Sequence, residues 1–171
     1  MSHTKVRLIV MLGVVCVSFS AIFIRFSEAP ALVIAALRML FTVLLLAPVF
    51  TYERIKKPTP LPLRAILLSA VGGIFLALHF ATWIASIDYT TIASSTVLVN
   101  LQSMFVYIGG ALFLKEKLRL KSFLSIALAF SGGVIISLGD SSSGSNLLFG
   151  DLLALLGAVF IAGYMLIGRF A

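Results

Sequence analysis

The chain has 171 residues, of which 61% are hydrophobic and only 11% are charged, and its mean hydropathy is +1.16. This composition lies outside the range of soluble domains and predicts an integral membrane protein. The net charge is +7, but no basic patch for nucleic acid is predicted and no nucleic acid partner is expected, because most basic residues border apolar segments. They form three clusters: Lys5 and Arg7; Arg54, Lys56, Lys57 and Arg64; Lys115, Lys117, Arg119 and Lys121.

Long apolar segments predict an all-α polytopic bundle with six transmembrane helices. In chain order these spans cover residues 8–24, 29–51, 65–87, 89–114, 122–139 and 151–169, with a tight charged turn at Asp88 between the third and the fourth. An even number of spans separates successive basic clusters. Since lysine and arginine favour cytoplasmic loops, the N-terminus is predicted to be cytoplasmic and the protein to lie in the cell (plasma or inner) membrane.

The first and sixth spans resemble each other. A shift of 144 positions, from position 8 to position 152, aligns six residues in and just after the first span with identical residues in and just after the sixth: Leu8, Leu12, Gly13, Val15, Arg25 and Phe26 with Leu152, Leu156, Gly157, Val159, Arg169 and Phe170. The repeating unit holds five spans, an odd number, so a second copy would enter the membrane from the opposite side. Such inverted repeats build many secondary transporters.

This repeat predicts three parts of the chain. Residues 1–140 would form a complete five-helix repeat, 141–149 an outer loop, and 150–171 the first helix of a second, truncated repeat. The partner of these helices would be a missing C-terminal half or a second copy of the chain.

Polar side chains share one face on each of two predicted helices. At 100° per residue, His79, Thr82, Trp83 and Ser86 lie together on the third span, whereas small residues occupy its opposite face. On the fourth span the shared face carries Thr96, Asn100, Ser103 and Tyr107. Polar groups lack partners in lipid, so these faces are expected to meet protein or a water-filled cavity.

Four segments carry a resemblance to a known family: FSAIFIRFSEAPALVIAALRMLF, LHFATWIASIDYTTIASSTVLV, FLKEKL and GDLLALLGAVFIAGYMLIGR. They are similar to the EamA-type transporters of the drug/metabolite transporter superfamily. The resemblance implies ten helices in two inverted halves, a central substrate cavity and export of small metabolites. The family usually has proline after the glutamine of span four, where this chain has Ser103 after Gln102, so the sequence does not support a kink there.

Each candidate residue has two interpretations. Arg38 contacts an anion, or it snorkels or pairs with Glu28 or Asp88. His79 carries a proton or contacts substrate, or it is a packing residue, and Trp83 lines a cavity or sits at the membrane interface. Asn100 is favoured as a cavity residue, together with Thr96, Ser103 and Tyr107. Tyr164 is a further candidate for the cavity wall, from the sixth span.

No enzyme signature, cofactor motif or metal-ligand set is present, so no catalytic residue, cofactor or metal is expected. All six acidic residues are placed at or beyond span ends, which predicts no buried carboxylate for proton coupling: Glu28, Glu53, Asp88, Glu116, Asp140 and Asp151. Glu116 is interpreted as a solvated charge or a helix-end partner.

Together these patterns predict a secondary exporter of small metabolites, with amino acids or related compounds as the leading substrate class. It would work by alternating access around a cavity lined by spans three and four, with span one closing one side. The alternative is a non-transporting membrane module whose polar faces serve helix association.

Overall fold

The computed structural model describes residues 3–58, 60–116, 120–139 and 146–170, and within these ranges it is helical without strands. The helices are α1 (His3–Ser18), α2 (Ser20–Phe26), α3 (Ala31–Lys56), α4 (Leu63–Tyr89), α5 (Ile92–Asn100), α6 (Gln102–Phe113), α7 (Leu120–Gly139) and α8 (Leu147–Gly168). Because α1 continues into α2 and α5 into α6, they form six rods. Five rods are long and apolar enough to cross a membrane, and the sixth has a shorter apolar stretch, Leu120–Ile135. The predicted all-α membrane bundle is confirmed.

The helix bounds differ from the predicted spans at several ends, and two of these differences affect the turn after α4 and the start of α8. The turn after α4 falls at Thr90, whose backbone is extended, whereas Asp88 still lies inside the helix. Helix α8 begins at Leu147, four residues before the predicted start, because three apolar residues, 147–149, extend it toward the loop. Residues 147–149 of the predicted outer loop are therefore helical, and residues 140–145 lie outside the described ranges.

The fourth span is broken although it lacks proline. Helix α5 ends at Asn100 and α6 begins at Gln102, with Leu101 between them. The Leu101 backbone N–H bonds to the Leu98 carbonyl, which is a tighter turn than the α-helical one. The Asn100 side-chain amide donates to the Thr96 carbonyl at 2.8 Å. A side chain that competes for backbone carbonyls is a recognised cause of helix breaks.

Helix α8 packs closely along α4. Three α8 glycines allow the approach, because a Cβ atom at any of them would lie within about 3.2 Å of α4 or of the turn that follows it. The pairs are Gly150 with Thr90, Gly157 with Trp83, and Gly163 with Phe75. Small residues let helix backbones approach in this way. The α4 surface in this contact is its polar and aromatic face, whereas a Cβ atom added at Gly73, on the small-residue face, would have no atom of another described helix within 4 Å.

The first span and α8 run in opposite directions. At the C-terminal end of the first span, Arg25 donates a hydrogen bond to the Ile87 carbonyl near the end of α4. At the N-terminal end of α8, Asp151 accepts a hydrogen bond from Thr90, just beyond that same end. Because both contacts lie at one end of α4, the two spans are antiparallel, as an inverted repeat requires.

Candidate functional site

A cation and three aromatic rings meet where α2, α3 and α4 converge. The Arg38 guanidinium on α3 lies 4.7 Å from the ring centroid of Phe80 and 5.6 Å from that of Trp83. Its Nη1 donates to the Ser20 hydroxyl of α2 at 2.7 Å. We call Ser20, Arg38, His79, Phe80 and Trp83 the Arg38 centre. It places a permanent charge within spanning helices.

His79 joins the centre to α8. Its ring stacks on Trp83, with centroids 6.0 Å apart and planes inclined by 5°, and contacts Phe80 at 5.0 Å. Its Nδ1 lies 2.8 Å from the Gly157 carbonyl. A carbonyl only accepts, so Nδ1 carries the hydrogen, and in the neutral ring Nε2 is then the acceptor. His79 and Trp83 are each only 8% exposed, so both side chains are buried between α4 and its neighbours.

A cavity of about 350 Å³ adjoins Arg38. It lies between the first and second spans. The polar face of α4, which was predicted to line a cavity, packs against α8. The lining of the cavity is mainly apolar and includes two hydroxyls: Cys16, Ser20, Phe23, Ile24, Ser27, Ile34 and Arg38. Nearby, the buried indole Nε1 of Trp83 has no hydrogen-bond partner within the described part of the chain. An unsatisfied buried donor of this kind is uncommon in proteins.

The polar residues predicted to share one face of the fourth span are partly exposed and partly buried. Asn100 and Ser103 are exposed, and the Asn100 amide bonds within its own helix. The Thr96 hydroxyl is buried and lacks a hydrogen-bond partner among the described residues. Ser103 and Tyr107 line a second cavity of about 260 Å³ beside Glu116 and Arg169.

The remaining candidates occupy other places. Tyr164 is 40% exposed, and its ring lies against Gly72 of α4, away from the Arg38 centre. Glu116 pairs with Arg169 at 2.8 Å, which confirms its interpretation as a helix-end partner. Arg38 pairs with neither Glu28 nor Asp88; it contacts Ser20 and the rings of Phe80 and Trp83.

The prediction that every acidic residue lies at or beyond a span end is wrong for Asp151. This residue is 9% exposed and lies inside α8. Its Oδ1 accepts hydrogen bonds from the Thr90 and Ser94 hydroxyls, both at 2.8 Å. We call Thr90, Ser94 and Asp151 the Asp151 cluster. Its hydrogen bonds connect the first turns of α8 to the turn between α4 and α5 and to the start of α5.

Sequence reasoning found Arg38, His79 and Trp83, which the structure brings together, but it missed Ser20, Phe80 and Asp151. The signal for Ser20 was a hydroxyl in an apolar span, and the signal for Asp151 was the apolar stretch before it. Neither indicates a contact partner on another helix. Among the described residues, no group of three histidine, cysteine, aspartate or glutamate side chains could hold a metal ion.

These long apolar helices define a multi-pass membrane protein. Residues 4–138 match the EamA-like transporter family, so the chain belongs to that family. It is also similar to the "Uncharacterized transporter YxxF" of Bacillus subtilis (strain 168), with 29% identity over 108 residues. The match covers 62% of this chain and 35% of the relative, so the chain spans about a third of that protein's length. No solved structure matches the chain.

Proposed function

We propose that the protein is a secondary, non-ATP transporter that exports small metabolites, with amino acids or related compounds as the leading class. Membership of a transporter family supports this role over an enzymatic one. The observation that carries the proposal is the Arg38 centre, in which a half-buried permanent cation lies over the half-buried Phe80 ring and the buried Trp83 ring. An ionisable side chain inside a membrane span costs free energy. Such side chains therefore usually face the protein interior or a water-filled cavity rather than lipid, and they often mark a transport pathway.

The proposed mechanism is alternating access by rocking of two inverted five-helix halves. The antiparallel arrangement of the first span and α8 supports this geometry. Helix α8 is held at one end by the Asp151 cluster and at the other by the exposed Glu116–Arg169 pair. We propose that the Arg38 centre lines the substrate pathway together with the polar residues of α5, α6 and α8: Thr96, Asn100, Ser103, Tyr107 and Tyr164.

Counterflow in liposomes without ATP tests this function. Liposomes loaded with unlabelled amino acids should accumulate the radiolabelled ones, and His79→Ala or Asn100→Ala should reduce the rate about tenfold without loss of folded protein. Ser131→Ala is the matched control, because its hydroxyl bonds only within α7 and its loss should leave the rate unchanged. Unchanged transport in both His79→Ala and Asn100→Ala would remove these residues from the pathway.

The competing function is a non-transporting assembly module, and water access at Asn100 separates the two. A cysteine introduced by Asn100→Cys in a Cys16→Ser background should react with a charged thiol reagent if the exposed amide faces a cavity. Leu45→Cys is the control, because Leu45 is a 74% exposed apolar side chain on α3 that would face lipid. Equal inertness at both positions would favour the assembly module.

The intact mass of the protein from its native membrane tests the repeat. A mass near 18.4 kDa would require a second copy or a partner to supply the other half. A mass of about 30 kDa, for roughly 290 residues, is expected if two complete repeats form one chain.

A further inference from the structure

We propose that the Arg38 centre is a carboxylate-binding subsite. The transported molecule presents a carboxylate to Arg38 and an apolar portion to the neighbouring rings. This inference rests on the proposed transport function and names the chemistry of the substrate.

The first argument is charge. Arginine stays protonated in proteins, and withdrawing a charge from water is costly unless an opposite charge compensates it. Arg38 is half-buried within the membrane-spanning helices. Among the described residues Glu116 forms an ion pair with Arg169, whereas Arg38 contacts a hydroxyl and two rings. Ring faces attract a cation but leave its net charge in place. An anionic ligand beside Arg38 supplies the missing compensation.

The second argument is hydrogen bonding. The planar guanidinium carries five N–H donors in a fork that matches a carboxylate, and in the described structure Nη1 bonds to Ser20. The indole Nε1 of Trp83 is a further donor, buried and without a partner there. Both groups donate only. Together they need acceptors, which a carboxylate provides and an ammonium group does not.

The third argument excludes a cationic ligand. Aromatic rings commonly bind ligand ammonium groups on their faces. Here the Arg38 guanidinium already lies over Phe80 and Trp83, so an incoming cation would meet a like charge in a poorly screened environment. Arg38 therefore prevents these rings from binding an ammonium group.

The adjoining cavity sets the size. Its volume of about 350 Å³ lies at the small end of ligand sites, which span roughly 300 to 1,000 Å³. Its lining of Cys16, Phe23, Ile24 and Ile34 is apolar, with hydroxyls at Ser20 and Ser27. This combination suits a small monocarboxylate with an apolar tail.

Tryptophan fluorescence provides a direct test, because Trp83 is the single tryptophan of the 171 residues. The purified protein is titrated with three carboxylates: benzoate, 3-phenylpropanoate and L-phenylalanine. The comparison probes are 3-phenylpropanamide and 3-phenylpropan-1-amine, which lack the negative charge. We expect a saturable change in Trp83 emission with at least one carboxylate, and at least about tenfold weaker binding of the amide and the amine.

Variants at Arg38 separate specific binding from general attraction to a basic protein. Arg38→Gln should abolish the carboxylate response, and Arg38→Lys should weaken it about tenfold by removing the fork. Arg64→Gln is the matched control, since it removes the same charge from an exposed position at the start of α4 and should bind carboxylates normally. If Arg38→Gln does not fold, unchanged carboxylate affinity in Arg38→Lys overturns the proposal.

The outcomes also distinguish this inference from the transport function. Equal responses to carboxylate, amide and amine, or no response to any carboxylate, would overturn the subsite. Counterflow of amines alone would preserve the transport function and overturn the subsite. Carboxylate binding at Trp83 without counterflow of any compound would preserve the subsite and remove the transport function.

Discussion

The first span and α8 have matching residues but different surroundings. In the most apolar stretch of each span, 33% of the residues of α8 are buried, compared with 11% of those of the first span. Gly157 on α8 lies against Trp83 and Thr82, whereas a Cβ atom added at the matching Gly13 would have no atom of another described helix within 4 Å. Identical residue types therefore do not determine burial. It depends on the helix that lies opposite.

The ends of the two spans differ in the same way. Asp151 follows Arg7 by the same shift of 144 residues. Asp151 is buried in a hydrogen-bonded cluster, whereas Arg7 is exposed. Arg25 donates to a backbone carbonyl, whereas its equivalent Arg169 forms an exposed ion pair. The two spans thus share matching residues, whereas the contacts at their ends differ. Three pairs of variants measure how much each of these contacts contributes.

The largest effect is expected at Asp151. Asp151→Ala removes the acceptor of the buried Thr90 and Ser94 hydroxyls and should lower the free energy of unfolding by about 3 kcal/mol. Asp88→Ala is the control, because Asp88 is exposed near the end of α4. Reversible unfolding in detergent measures both. Equal stability of the two variants would show that the Asp151 cluster does not fasten α8.

A smaller loss is expected at Gly157. A Cβ there would already lie 3.2 Å from the Trp83 Cβ, so Gly157→Leu must push α8 from α4 and should cost about 2 kcal/mol. Gly13→Leu, at the equivalent position, should cost nothing because its surroundings are open. The same unfolding measurement applies. A matching loss in Gly13→Leu would contradict the exposed position of the first span and place another helix against it.

The smallest difference is expected between the two equivalent arginines. Arg25→Gln loses a charged donor to the carbonyl of buried Ile87 and should cost about 1.5 kcal/mol. Arg169→Gln breaks a pair whose side chains are 43% and 51% exposed, so its cost should stay below about 1 kcal/mol. Raised salt should reduce the Arg169 effect further. A larger effect at Arg169 would show that this ion pair is shielded from solvent.

The candidate site was partly predictable. The helical spacing of His79, Trp83 and Ser86 placed them on one face, and that face is buried. Arg38 was identified because a charge inside an apolar span is conspicuous. Phe80 was not, since a phenylalanine in an apolar helix carries no distinguishing signal until a guanidinium is seen over its ring. The break at Leu101 was also missed, because its sequence lacks the proline that usually marks one.

The sequence by itself determined the membrane class, the six helical rods and the polar face of α4, because apolar length and 3.6-residue periodicity are local properties of the chain. Only the tertiary structure decided that α8 rather than another helix covers that face, that Asp151 is buried, and that Arg38 meets Phe80 and Trp83. These contacts join residues far apart in the chain. Their formation depends on helix packing and close backbone approach, which no local pattern specifies.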